Sequence, residues 1–426
     1  MLTLLISFFV LIFLRVPVAI SLALSTIFVL LQSDFNMNMM PQRMFTALDS
    51  FPMMAIPGFV LAGIIMARGG ISRYLIDALR SWVGHLPGGL AVVTILACAI
   101  FAAISGSSPA TAAAIGSIMI PAMISAGYDK RYSMGLVAAG GTLGILIPPS
   151  IPLIMYGITS EQSIGDLFMA GLIPGIALTG ILIVAAIFYA KRNGFKGDQP
   201  ATMAERGQKS LKAIWGALLP IIILGSIYSG IVTPTESAVI AVVYGLIVSA
   251  FIYRELKLKD LRPIIVESIN ITAMIFLIVA AASLFGLYLT NAQVPQTVGN
   301  WIAESDMNKW IFMIIVNILF FVMGMFLEAV SIILITLPIL LPILYHFDIN
   351  LIHFAIIMTI NMELGMITPP VGLNLFVVSG IAKEKLGEVV KGVIPFIVLM
   401  IAFLALVVLF PQLSLWLPEL LKKLSY

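Results

Sequence analysis

The chain has 426 residues, of which 61% are hydrophobic and only 10% charged, with a formal net charge of +3; its mean hydropathy is +1.12. Soluble globular chains are about half apolar and about a quarter charged, so this one lacks the polar surface to cover itself, and its solvent is a lipid bilayer. Cys98 is the only cysteine and the three histidines show no metal spacing, which argues against disulfide, metal or redox chemistry. A charge of +3 reflects the lysine and arginine excess of cytoplasmic loops rather than a nucleic-acid partner.

A helix crosses the bilayer with roughly 20 apolar residues. The first such run, 2–31, has neither a basic leader nor a small-residue cleavage site and reads as a retained helix, with a bend at Arg15-Val16-Pro17. Further crossings are expected at 51–67, 132–158, 166–190, 213–231, 235–253, 268–290, 350–380 and 391–411. Regions 88–126 and 309–346 differ, because small or polar residues divide each into two short arms. Both are expected to be re-entrant hairpins. An apolar face precedes each: Ile71, Tyr74, Leu75, Ala78, Leu79, Trp82 and Val83 in one, and Val294, Thr297, Val298, Trp301 and Ile302 in the other. Such arms suit the membrane interface.

If 68–86, 127–131, 190–212, 254–267 and 382–391 face the cytoplasm, 18 of the 23 basic residues lie there. The N-terminus is then cytoplasmic and the C-terminus outside. The charged stretch 191–212 reads as a solvated loop, and Thr233-Pro234-Thr235-Glu236 as a helix cap.

An ungapped offset of 221 residues lays Gly144-Ile-Leu-Ile-Pro148-Pro149 on Gly365-Met-Ile-Thr-Pro369-Pro370, Pro121 on Pro342, and hairpin on hairpin. Five crossings separate equivalent points, so the copies are inverted. The fold class expected is an all-α polytopic membrane protein with an inverted repeat, two re-entrant hairpins and two broken helices. Its segments are an N-terminal scaffold (1–50), a first repeat (51–190), connecting elements (191–267), a second repeat (268–411) and a tail (412–426).

Unwound backbone at membrane depth persists only where protein buries it or a wet cavity adjoins it. Two breaks and two tips therefore predict a central polar site, the arrangement by which secondary transporters bind ions and anions. The first tip, Ser105-Gly106-Ser107-Ser108-Pro109-Ala110-Thr111, is dense in hydroxyls. It could be a helix-packing seam, or, together with Gly144 and Pro148-Pro149, surround a hard cation such as Na⁺. Around the second tip, Glu328 and Glu363 are carboxylates in apolar sequence, costly and commonly functional: either could ligate a cation or be a structural hydrogen-bonding group, and Glu363 could carry protons. Thr368, Pro369, Asn374 and the backbone at Gly365 complete a second candidate cation site. No Gly-Lys-Ser/Thr ending occurs, so ATP-driven transport is not supported. An intramembrane enzyme would need a nucleophile with a base, or a metal set, and neither is evident.

Gly106-Ser-Ser-Pro-Ala-Thr, Gly144-Ile-Leu-Ile-Pro-Pro-Ser, Gly230-Ile-Val-Thr-Pro-Thr-Glu-Ser-Ala and Ile367-Thr-Pro-Pro-Val-Gly-Leu-Asn together resemble the large membrane subunit of tripartite ATP-independent periplasmic (TRAP) transporters. The resemblance spans nearly the whole chain. It implies an elevator mechanism in the bacterial inner membrane, with no cofactor beyond Na⁺ as coupling ion. Implied partners are a small four-helix membrane subunit, expected as a separate chain, and a periplasmic substrate-binding protein. The cargo implied is a small organic anion, either a C4-dicarboxylate or a sialic acid, with a lean toward the latter. By residue, the resemblance puts one Na⁺ near Ser105, Gly106, Ser108, Gly144, Ile147 and Pro149. A second falls near Gly324, Glu328, Gly365, Thr368 and Val371. Ser107, Pro149, Ser150, Pro370 and Asn374 are the substrate candidates. A self-sufficient ion-coupled carboxylate transporter of the same fold, without a binding protein, is the alternative.

Overall fold

The computed structural model describes residues 2–32, 35–195, 197–304 and 307–424, and every regular element among them is helical. Both hairpins form. The first has arms Gly89–Ser105 and Ser108–Ser125, and the second has arms Lys309–Gly324 and Ala329–His346. Both broken helices break: Lys130–Leu146 is followed by Ile151–Ser160, and Leu351–Met366 by Leu373–Ala382. The helix runs two residues past Gly144 in the first repeat and one past Gly365 in the second, and unwinds at the prolines, whose missing N–H and ring end the hydrogen-bond ladder. Pro148-Pro149 and Pro369-Pro370 are both cis.

The offset of 221 carries Ser108–Ser125 onto Ala329–His346 at both ends, and Lys130–Leu146 onto Leu351–Met366 to within one residue. The amphipathic arms Ile71–Val83 and Val294–Glu304 and the long helices Ile164–Arg192 and Leu386–Leu409 also correspond, with ends up to four residues apart. In the first arm Ile71, Leu75 and Ala78 are buried as expected, and Ile76 joins them. Trp82 is 49% exposed; its indole N–H donates to the Ser210 hydroxyl at 2.9 Å. The side chains of Trp301 and Ile302 lie outside the described residues.

Among the described residues, nine helical spans are long and apolar enough to cross a membrane. The number matches the sequence reading, but the membership differs. The expected crossing 2–31 is two helices, Leu2–Phe13 and Val18–Leu31, which pack on each other and are joined through Arg15 at φ +64° and Pro17. The expected crossing 350–380 divides at its break, while hairpin arms Ser108–Ser125 and Ala329–His346 reach spanning length. Two supposed loops are also partly helical. Met203–Tyr228 begins inside 191–212, where the Thr202 hydroxyl accepts from the Glu205 N–H, and Leu258–Asn291 begins inside 254–267. Hydropathy marks where a helix enters lipid, not where it starts. The tail forms an amphipathic helix, Gln412–Leu424, lying on Ile164–Arg192. At Thr233 the expected cap is present: Thr233 N–H donates to Glu236 at 2.7 Å, and Glu236 N–H to the Thr233 hydroxyl at 3.3 Å.

Ion pairs sort the helix ends into two faces. Arg68–Glu267 (2.5 Å), Arg73–Glu255 (3.7 Å), Arg80–Asp198 (2.6 Å), Lys130–Glu384 (2.5 Å) and Arg131–Glu388 join segments that charge counting assigns to one side. Lys422–Asp166 (2.6 Å) and the His353–Ser414 hydrogen bond (2.6 Å) join segments of the other. The first hairpin rises from the face of Lys130 and the second from the face of Asn350, so the repeats are inverted.

The repeats also exchange partners. The second arm of the first hairpin packs on Leu373–Ala382 of the second repeat, and the second arm of the second hairpin packs on Ile151–Ser160 of the first. All four elements begin at the centre of the molecule.

Candidate functional site

Four helix C-termini (Ser105, Leu146, Gly324, Met366) and four N-termini (Ser108, Ile151, Ala329, Leu373) mark the two tips and two breaks. Helix C-termini present free carbonyls and partial negative charge, and N-termini free N–H groups and partial positive charge. One centre thus offers oxygen ligands for cations and donors for an anion.

In the first repeat, tip and break meet main chain to main chain. Gly106 has φ +60°, and a Cβ there would stand 2.7 Å from the Pro149 carbonyl oxygen; one on Gly144 would stand 2.5 Å from the Ser107 carbonyl oxygen. Only glycine allows this approach. Hydroxyls order the tip: Ser105 Oγ and Thr111 Oγ1 are 2.8 Å apart, and Thr111 donates to the Ser107 carbonyl at 2.9 Å. Thr111 was part of the quoted tip, yet its role as the brace of Ser105 comes from the i+6 geometry across the turn. Ser108, Ser150 and Ser105 are all buried. Ser150 donates to the Ile145 carbonyl at 2.6 Å and caps Leu153 N–H, which makes it a support of the break. The Ile147 side chain packs toward Gly175, so its main chain is what the break can present.

In the second repeat Gly324 and Gly365 are in direct contact, and the Met325 carbonyl accepts from the N–H groups of Val371 (3.2 Å) and Gly372 (3.3 Å). The sequence reading missed Met325, because a backbone acceptor leaves no mark on side-chain identity. Thr368 donates to the Leu364 carbonyl at 2.6 Å, leaving its lone pairs unspent. Glu328 is half-buried and caps its own helix, accepting from the Ser331 N–H and hydroxyl at 3.2 and 3.1 Å. Glu363 is wholly buried, and among the described residues neither of its oxygens has a hydrogen-bond partner.

The substrate candidates divide. Ser107 is half-buried and Pro370 exposed, while Pro149 and Ser150 are enclosed. Asn374, fully buried, spans the repeats, donating to the Ser108 hydroxyl at 2.7 Å and the Ala138 carbonyl at 3.1 Å. No group of three or more His, Cys, Asp or Glu side chains that would suit a polyvalent metal occurs among the described residues. The donors are neutral carbonyl and hydroxyl oxygens with at most one carboxylate, a set suited to a monovalent hard cation.

The chain is similar to known proteins over nearly its full length. Residues 5–413 match the family described as the tripartite ATP-independent periplasmic transporter, DctM component. It is 43% identical to the C4-dicarboxylate TRAP transporter large permease protein DctM of Pseudomonas aeruginosa, over 92% of both chains. It is 35% identical to the sialic acid TRAP transporter large permease protein SiaM of Vibrio cholerae, over 96% of both. It is 41% identical to the isethionate TRAP transporter permease protein DctMQ of Oleidesulfovibrio alaskensis, over 94% of this chain and 64% of that one. Among solved structures, the Alcanivorax borkumensis YdaH transporter shares the fold, with a TM-score of 0.61, 13% identity and coverage of 85% and 86%. Two hairpin tips closing on two helix breaks, in a chain that matches one family from end to end, leave a single assignment: the protein is a multi-pass membrane protein of the DctM-component family, the large permease subunit of tripartite ATP-independent periplasmic transporters.

Proposed function

We propose that this permease imports a small organic anion across the bacterial inner membrane, driven by a Na⁺ gradient, with its N-terminus cytoplasmic and its C-terminus periplasmic. The observation that carries this reading is the closure of each tip on its own break, Gly106 against Pro149 and Gly324 against Gly365. Each junction gathers carbonyl oxygens at helix C-termini, which suit Na⁺. The first site comprises Ser105, Gly106, Ser108, Gly144, Ile147 and Pro149, and the second Gly324, Glu328, Gly365, Thr368 and Val371, with Met325 joining it. The anion sits between the tips near Ser107, Pro370 and Asn374, where N-termini supply donors. The two sites then travel together with the anion as the hairpins move against the arms.

The cargo is a carboxylate, and C4-dicarboxylates come before sialic acids, because the relative of higher identity above is a C4-dicarboxylate permease. A small membrane subunit and a periplasmic binding protein complete the system. The isethionate relative, whose length this chain covers only in part, supports a further membrane element. Purified permease, small subunit and binding protein are reconstituted in liposomes and offered succinate and sialic acid. Uptake driven by inward Na⁺ and abolished when K⁺ replaces it is expected. Uptake indifferent to Na⁺ overturns the coupling, and full uptake by the permease alone favours a self-sufficient carrier.

A further inference from the structure

Asn374 is wholly buried at the start of helix Leu373–Ala382 in the second repeat. An asparagine amide has two donor hydrogens and an acceptor oxygen with two lone pairs. Here both hydrogens are used, one on the Ser108 hydroxyl in the first repeat at 2.7 Å, the other on the Ala138 carbonyl at 3.1 Å. The Ala138 carbonyl can only accept, so the nitrogen must face it, and the assignment of the amide ends does not depend on convention. The oxygen is left over. Among the described residues it has no hydrogen-bond partner although it is buried, a condition that is ordinarily unfavourable unless something fills it.

Ser108 is also fully buried and opens the second arm of the first hairpin. Because Asn374 donates to it, one lone pair of the Ser108 oxygen is occupied and the orientations left to the hydroxyl are restricted. Tip and break of the first repeat already meet through Gly106, Pro149, Ser107 and Gly144; Asn374 is what ties that junction to the opposite repeat, 266 residues away in the chain.

We infer that Asn374 is a positioning residue that orients the Ser108 hydroxyl toward the first cation and offers its own free amide oxygen to the ligand held between the tips. The inference rests on the Na⁺ reading above. A cation at the first site fixes Ser108, Ser108 fixes the amide, and the amide oxygen then points one way for the anion's hydroxyl or an accompanying cation. Occupancy of a site built by one repeat is thereby felt at the break of the other, without any long pathway.

The test is a double-mutant cycle read as the Na⁺ concentration that half-maximally stabilises the purified permease against heat in detergent, and as half-saturating Na⁺ for uptake by the reconstituted system. Asn374→Ala and Ser108→Ala are each expected to raise half-saturating Na⁺ about fivefold, the effect of one neutral hydrogen bond of roughly 1 kcal/mol. The double variant is expected to show about the same fivefold rise, because both changes break one linkage. A product near 25-fold, the value for independent sites, or an Asn374→Ala curve matching wild type, overturns the inference. If Asn374→Ala does not fold, Asn374→Ser, too short to reach both Ser108 and Ala138, carries the same expectation. A wild-type permease without Na⁺-dependent stabilisation or uptake overturns the Na⁺ reading and this inference together; a Na⁺-dependent wild type with independent effects removes the inference alone.

Discussion

Gly365 and Gly324 touch through their main chains: a methyl group built on Gly365 would lie 2.4 Å from both the Cα and the carbonyl carbon of Gly324. Backbone cannot rotate out of the way as a side chain can. Gly365→Ala must therefore push the second tip off its break, and overpacking of this kind costs typically 1–3 kcal/mol. We expect a lowered melting temperature in detergent and loss of Na⁺-dependent uptake. Gly144→Ala should behave alike in the first repeat, where the Ser107 carbonyl oxygen stands 2.5 Å away. Gly380, with nothing within 4 Å, is the control: Gly380→Ala should leave both measurements unchanged or raise stability slightly.

Thr368 spends its hydrogen on the Leu364 carbonyl, which aims its lone pairs away from the helix. Thr368→Ala removes those lone pairs and leaves the carbonyls of the break. Half-saturating Na⁺ for uptake should rise about fivefold, equivalent to roughly 1 kcal/mol, with unchanged membrane expression. Thr368→Ser should restore the wild-type value, and a failure of that rescue would assign the effect to the lost methyl instead.

Glu363 is wholly buried, and among the described residues its carboxyl has no hydrogen-bond partner. A charge in such a place is strongly unfavourable unless compensated, so the isosteric neutral amide is expected to be tolerated. Glu363→Gln should keep transport, its pH profile and its Na⁺ dependence within about twofold, as expected of a change smaller than one hydrogen bond. A tenfold loss of uptake in Glu363→Gln, with the fold intact, would make ionisation of this carboxyl part of the transport cycle.

The orientation can be read chemically. Cys98 is the only cysteine and is fully buried, so Cys98→Ala gives a background free of thiols. Lys385 and Glu419 are both exposed, on faces that the ion pairs distinguish. A membrane-impermeant maleimide added to intact spheroplasts should label Glu419→Cys and spare Lys385→Cys until the cells are opened. The reverse pattern would invert the whole topology.

Much of this architecture is legible in the sequence because proline and glycine act locally. Pro148-Pro149 and Pro369-Pro370 end their helices wherever they sit, and the offset of 221 residues predicts Ala329–His346 from Ser108–Ser125. What was not legible depends on neighbours. The bend at Arg15-Val16-Pro17 was legible, but the full division of 2–31 into two helices turns on Arg15 adopting φ +64°, a conformation that sequence permits but does not require. Met203–Tyr228 starts in charged sequence because the Thr202 cap, not hydropathy, sets its first turn. At the site, the tips and breaks were readable as composition, whereas the Asn374 amide on Ser108 joins residues of opposite repeats and exists only once both are folded.

The exchange of arms between the repeats has a consequence for how the molecule is made. Ser108–Ser125 rests on Leu373–Ala382, and Ile151–Ser160 on Ala329–His346, so the first half leaves the ribosome with one face of each of these helices uncovered. Neither half is a finished unit, because each buries the second hairpin arm of the other. A chain stopped at the connecting segment is therefore a substrate for membrane quality control, and two halves produced as separate chains in the same cell would have to find each other before either arm is covered.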